Sequence, residues 1–131
     1  MREGSLSHVI AHEIVHQATE TALGFSAYYR LPRWKSEGYA EYGSKIHFTS
    51  QDPDATLSRR IEHLENDPSW TPGPNFVRNI YRGHLMVEYL SEIRNLKFAD
   101  IMKEEVTEAD TYRAMIGWYE KVKASPTENH R

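Results

Sequence analysis

Along the first two dozen residues, apolar side chains recur at helical rather than strand spacing. At 100° per residue, Leu6, Ile10, Ile14, Ala18, Ala11, Ala22 and Val15 sweep one broad arc, while His8, His12, His16 and Glu13 share the other. The pattern predicts a helix over 5–23, with Ser5 as its N-cap, Gly24 as its stop and the histidines turned toward a cleft or solvent. A second helix is expected to start near Pro32, a good first-turn residue, and to carry RWKSEGYAEYGSKI until 50–54 break it. Further helical patterns cover 55–66, 75–94, 97–105 and 108–123, the last opened by Thr107 with Asp110 placed as in a capping box. No stretch shows convincing strand alternation, no internal repeat is present, and only DPSWTPGP and KASPTENHR are compositionally biased. The expected fold is therefore mainly α: a compact helical bundle with little or no sheet, one domain over 1–124 and a polar tail over 125–131.

Composition narrows the function. A chain of 131 residues suits one ordinary domain. Sixteen basic residues against nineteen acidic ones leave a formal charge of -3, so no broad basic field exists to hold nucleic acid or an anionic membrane. With no cysteine, a disulfide or thiolate metal site is excluded, and any metal must be held by nitrogen and oxygen. No run has the length of a signal peptide or a membrane span, so the expected location is the cytoplasm.

The residues with a chemical pattern are His12-Glu13-Ile14-Val15-His16. Two imidazoles four apart stand one above the other on a helix face and can grip one ion from the same side, with Glu13 beside them. His8, a further turn back, reads as cleft-lining, because three histidines on successive turns spread over about 12 Å and one ion cannot span them.

Downstream, Leu31-Pro32-Arg33-Trp34-Lys35-Ser36-Glu37-Gly38-Tyr39-Ala40-Glu41-Tyr42 resembles the W-x-x-E-G-x-A-E-Y signature of gluzincin zinc metallopeptidases, the group related to aminopeptidase N and thermolysin. The resemblance implies that Glu37 is the third ligand beside His12 and His16, that the metal is Zn2+, and that Glu13 is the general base. The chemistry agrees: two neutral imidazoles and one carboxylate leave an open position and enough positive charge to acidify water. Gly38, costly inside a helix, is expected to let this helix approach the zinc helix closely. Glu41, one turn beyond Glu37, is expected behind a ligand histidine, accepting its free ring N–H.

Residues 79–90 resemble the gluzincin helix that carries a tyrosine just before a glycine. The family tyrosine falls at Ile80, so Tyr81 or His84 is the candidate oxyanion stabiliser, with packing at the edge of a core helix as the alternative for either. The resemblance covers the zinc helix and the helical half only. The mixed sheet that aligns substrate in such enzymes is missing, so alignment is expected from a homo-oligomer, a partner chain or an upstream domain; very small helical gluzincins offer a precedent for a minimal scaffold. The expected function is hydrolysis of peptide bonds in a peptide or protein substrate through a zinc-activated water, weak or latent in this chain alone. The rival reading is a non-catalytic zinc-binding helical interaction module, or a fragment of a larger peptidase. A DNA-linked regulator is disfavoured by the absence of a helix-turn-helix pattern and a basic patch.

Overall fold

A computed structural model describes residues 3–44, 56–66 and 75–125. In chain order these form α1 (Glu3–Leu23), α2 (Phe25–Tyr29), α3 (Arg33–Ser44), α4 (Leu57–Asn66), α5 (Asn75–Glu88), a π-helical turn (Tyr89–Ile93), α6 (Phe98–Ile101) and α7 (Glu108–Ala124). There is no strand among the described residues, and the architecture is the mainly α bundle that the periodicity predicts. The break at 50–54, the segment DPSWTPGP and all of the tail beyond Ser125 lie outside the described residues, as does the side chain of His8.

Local chemistry sets the boundaries. Gly24 ends α1 with φ 88°, a left-handed conformation that suits glycine. Pro32 precedes α3, and its carbonyl accepts the N–H groups of Lys35 and Ser36. Thr107 caps α7 by accepting the Asp110 N–H at 3.2 Å, as its spacing predicts. The helix expected over 75–94 turns π-helical at Tyr89, where the Arg94 N–H reaches the Tyr89 carbonyl. The helix expected over 97–105 is confined to Phe98–Ile101, and α2 was not foreseen at all.

The core is built around α5. Leu57, Ile61 and Leu64 of α4, Tyr81, Leu85, Met86 and Val87 of α5, and Met115 and Tyr119 of α7 are buried together, with Trp34 of α3 at one side. Helix α3 lies between α5 and α1. Its backbone touches α5 at paired glycines: a Cβ on Gly38 would sit 2.5 Å from the Gly83 carbonyl oxygen, and one on Gly83 would sit 2.9 Å from the Trp34 carbonyl oxygen. Gly38 thus serves the α3–α5 contact and not the expected contact with the zinc helix. Gly43 takes the latter part, since a Cβ there would press on the Val15 methyls at 3.1 and 3.2 Å.

Helix α1 contributes no residue to the buried core cluster. It rests on α3 through the side that carries Val15, His12, His16 and the buried Thr19. Much of the apolar arc faces outward: Leu6, Ile10 and Ile14, with Val9 beside them, are 50–60% exposed, while Val15 at the edge of the arc packs on α3. Amphipathic periodicity alone would have seated that arc on the core. The histidine side goes inward instead because Glu37 and Glu41 of α3 supply polar partners for its imidazoles.

Candidate metal centre

The i, i+4 spacing on α1 puts His12 and His16 on one face, and α3 brings Glu37 up against them from the adjacent helix. His12 Nε2 and His16 Nε2 are 3.0 Å apart, Glu37 Oε2 lies 3.0 Å from His12 Nε2, and Glu37 Oε1 lies 3.3 Å from His16 Nε2. All three residues are partly buried, and one ligand atom from each falls within 4.8 Å of the others. For bonds of about 2.1 Å in tetrahedral geometry, neighbouring ligand atoms stand roughly 3.4 Å apart. The short contacts use both Glu37 oxygens, one toward each imidazole, and the one-atom-per-residue set, within 4.8 Å, is close enough for the three side chains to hold a metal ion together.

The rear nitrogen of His16 is hydrogen-bonded, and that of His12 faces a carboxylate at ion-pair distance. Tyr28 on α2 places its hydroxyl 2.8 Å from His16 Nδ1, and Glu41, buried on α3, places Oε1 3.9 Å from His12 Nδ1. Such partners fix a ligand histidine's tautomer and ring orientation, leaving Nε2 for the metal. Glu41 lies behind His12, one turn from Glu37, at an ion-pair separation longer than the hydrogen bond that its spacing predicts. Tyr28 was missed, and the only trace of it in the sequence is the aromatic run after Gly24, which by itself reads as packing.

The electrostatics follow from this crowding. Hydrogen bonds from His12 and His16 hold the Glu37 carboxyl well below the usual carboxylate range. The same bond to Glu37 raises His12, against burial that lowers it, with help from the charges of Glu41, Glu37 and Glu13. Burial, then the nearby Glu37 charge, raises the Tyr28 phenol. The carboxylates that raise His12 would likewise favour a cation placed between the imidazoles.

Glu13 sits on the exposed side of α1 beside the cluster, outside the ligand set and close enough to act on His12 electrostatically. Tyr81 and His84 do not reach the cavity that adjoins Glu37. They are 0% and 1% exposed, and His84 Nε2 lies 3.4 Å from the Glu88 carboxylate, which Arg60 grips with two bonds of 2.8 and 2.7 Å. Both expected oxyanion candidates are thus seated in the core, because the face of α5 that carries them turns toward α4 and the interior. Beside the ligand set the structure opens a cavity of about 330 Å³ lined by Pro32, Arg33, Trp34, Glu37, Asn79, Ile80, Arg82 and Glu108. Ile80, the position at which the gluzincin tyrosine was expected, lines that cavity with an aliphatic side chain.

Compared with family models, curated proteins and solved structures, the chain matches none. No helix of the described residues is long and apolar enough to cross a membrane.

Proposed function

We propose that the protein is a zinc-dependent peptidase whose metal is held by His12, His16 and Glu37. The observation that carries this reading is the convergence of three nitrogen and oxygen donors from two helices, with Tyr28 bonded to the rear nitrogen of His16 and the Glu41 carboxylate 3.9 Å from that of His12. Zinc suits a set of two imidazoles and one carboxylate, and when bound it supplies a Lewis acid that makes water acidic near neutral pH. The chain's own residues account for the rest. Glu13 takes a proton from the attacking water and returns it to the leaving amine, a role that needs a carboxylate next to the ligands and not among them. Tyr28 and Glu41 keep the imidazoles oriented. The cavity beside Glu37 receives substrate.

A second reading, a non-catalytic zinc-binding module that associates through a helix face, is favoured by one observation: the outward-facing Leu6, Val9, Ile10 and Ile14 on α1. One experiment separates the two. Elemental analysis of the purified protein should find about one zinc per chain, lost on His12→Ala, His16→Ala or Glu37→Ala. Glu13→Gln should retain the metal and abolish hydrolysis of quenched fluorescent peptides. Zinc retained by a ligand variant removes that residue from the set, and zinc bound without any hydrolysis by the unaltered chain favours the second reading.

A further inference from the structure

The cavity beside Glu37 carries a charge pattern that the metal chemistry does not use. Arg33, at the start of α3, and Arg82, on α5, face it from two helices, with Trp34 and Ile80 as apolar wall between them. Among the described residues neither guanidinium lies within ion-pair distance of a carboxylate. Arg82 has a buried Nε–H with no acceptor, a single long contact of 3.4 Å from Nη1 to the Asn79 side-chain oxygen, and the face of Tyr112 at 5.7 Å. Contrast Arg60 on the neighbouring helix, which spends its planar fork on both oxygens of Glu88. An arginine fork set in a cavity wall with its donors unspent is suited to a planar anion, and a carboxylate is the group it matches in two parallel bonds. A buried N–H left without an acceptor is also unfavourable, and an arriving acceptor relieves it.

From this arrangement we infer that the cavity binds a substrate carboxylate through Arg82 and Arg33, so that the preferred peptides carry an acidic group close to the bond presented at Glu37. The peptide part of this inference rests on the proposed peptidase reading; the anion site does not. Trp34 and Ile80 give the apolar contact for the side chain or backbone bearing the carboxylate, and the two guanidiniums come from separate helices, so the anion is held between α3 and α5. Glu108 and Glu37 also line the cavity, and these two carboxylates make it unfavourable to more than one added negative charge. The carboxylate has two sources in a peptide, its C-terminus or an acidic side chain, and these are separable.

The test uses the zinc-loaded full chain carrying Glu13→Gln, so that ligands bind without turnover, and three N-acetylated tripeptides: one with a free C-terminus, one with an amidated C-terminus, and one amidated with glutamate as its last residue. Binding is measured by titration calorimetry in that background and again with Arg82→Gln, Arg82→Lys or Arg33→Gln added. One or both acidic probes should bind about tenfold or more tightly than the neutral amide. Arg82→Gln and Arg33→Gln should each reduce that preference to about threefold or less, with zinc content and far-ultraviolet circular dichroism unchanged. Arg82→Lys, which keeps the charge and loses the fork, should fall between them. The acid that benefits identifies the source. Equal binding of all three probes, or a preference that survives both glutamine variants, overturns the inference. Failure of the unaltered chain to cleave any of the peptides, with the acid preference intact, overturns the peptidase reading and leaves the anion site standing.

Discussion

Gly38→Ala is the substitution on which sequence and structure disagree most sharply. Mid-helix, replacing glycine by alanine gains about 1 kcal/mol from propensity alone. At Gly38 the new Cβ would lie 2.5 Å from the Gly83 carbonyl oxygen and 2.6 Å from its carbon, both backbone atoms that cannot rotate away. Reaching ordinary contact near 3.4 Å requires α3 and α5 to part by about 0.9 Å. Overpacking of this kind costs roughly 1–3 kcal/mol. With the propensity gain set against it, the net effect is a loss of up to about 2 kcal/mol, a fall in Tm of up to about 8 °C for a domain of this size. The displacement also reaches the metal centre, since Glu37 is the adjacent residue and donor distances tolerate errors of only about 0.2 Å. Zinc affinity should drop about tenfold or more. Gly117 is the control: it lies in the exposed interior of α7, a Cβ there would meet nothing within 4 Å, and Gly117→Ala should raise Tm by a few degrees. The assays are thermal unfolding of the zinc-free protein and a competitive zinc titration. If Gly38→Ala raises Tm as Gly117→Ala does and leaves zinc affinity unchanged, the close glycine contact does not place Glu37.

Three further outcomes are expected. Tyr28→Phe keeps the ring and removes only the hydroxyl behind His16, so the fold should persist while zinc binds about tenfold more weakly; unchanged affinity in a competition titration would deny Tyr28 its orienting role. Glu88 titrates at about 2 although burial pushes it up, because the bonds from Arg60 and His84 outweigh that burial. Its depressed value means the stabilisation is complete above the unfolded value of 4.5 and is lost as pH falls from there through about 2, in all about 3 kcal/mol. Glu88→Gln should therefore be less stable at pH 7 and lose stability less steeply over that window in urea titrations; parallel pH profiles would show that the Arg60 pair does not carry the acid sensitivity. Ile14→Gln, at a position 60% exposed, should shift the stability of the monomer by no more than about 0.5 kcal/mol, whereas a loss of several kcal/mol in a urea titration would put the apolar arc of α1 in a buried interface.

The sequence by itself determined the mainly α architecture and the three donors, because both depend on spacing along the chain. Apolar periods set the helices; Gly24 and Thr107 mark boundaries that local backbone and capping chemistry enforce within a few residues; and His12 and His16 share a face by helical geometry alone. Glu37 and Glu41 were legible through the W-x-x-E-G-x-A-E-Y pattern and the one-turn step between them. What the tertiary structure decided is everything that depends on which face meets which neighbour. Periodicity separates two faces of α1 and by itself would turn the apolar one inward, whereas the carboxylates of α3 draw in the histidine face instead. Gly38 could be seen to need a close neighbour, yet only packing showed that the neighbour is Gly83. Tyr81 and His84 lie near the glycine in sequence and were plausible at the site, but the roll of α5 about its axis buries them, while the same roll turns Ile80 and Arg82 to the cavity beside Glu37. Tyr28, twelve residues from His16, meets it only because α1 ends at Gly24 and the chain folds back.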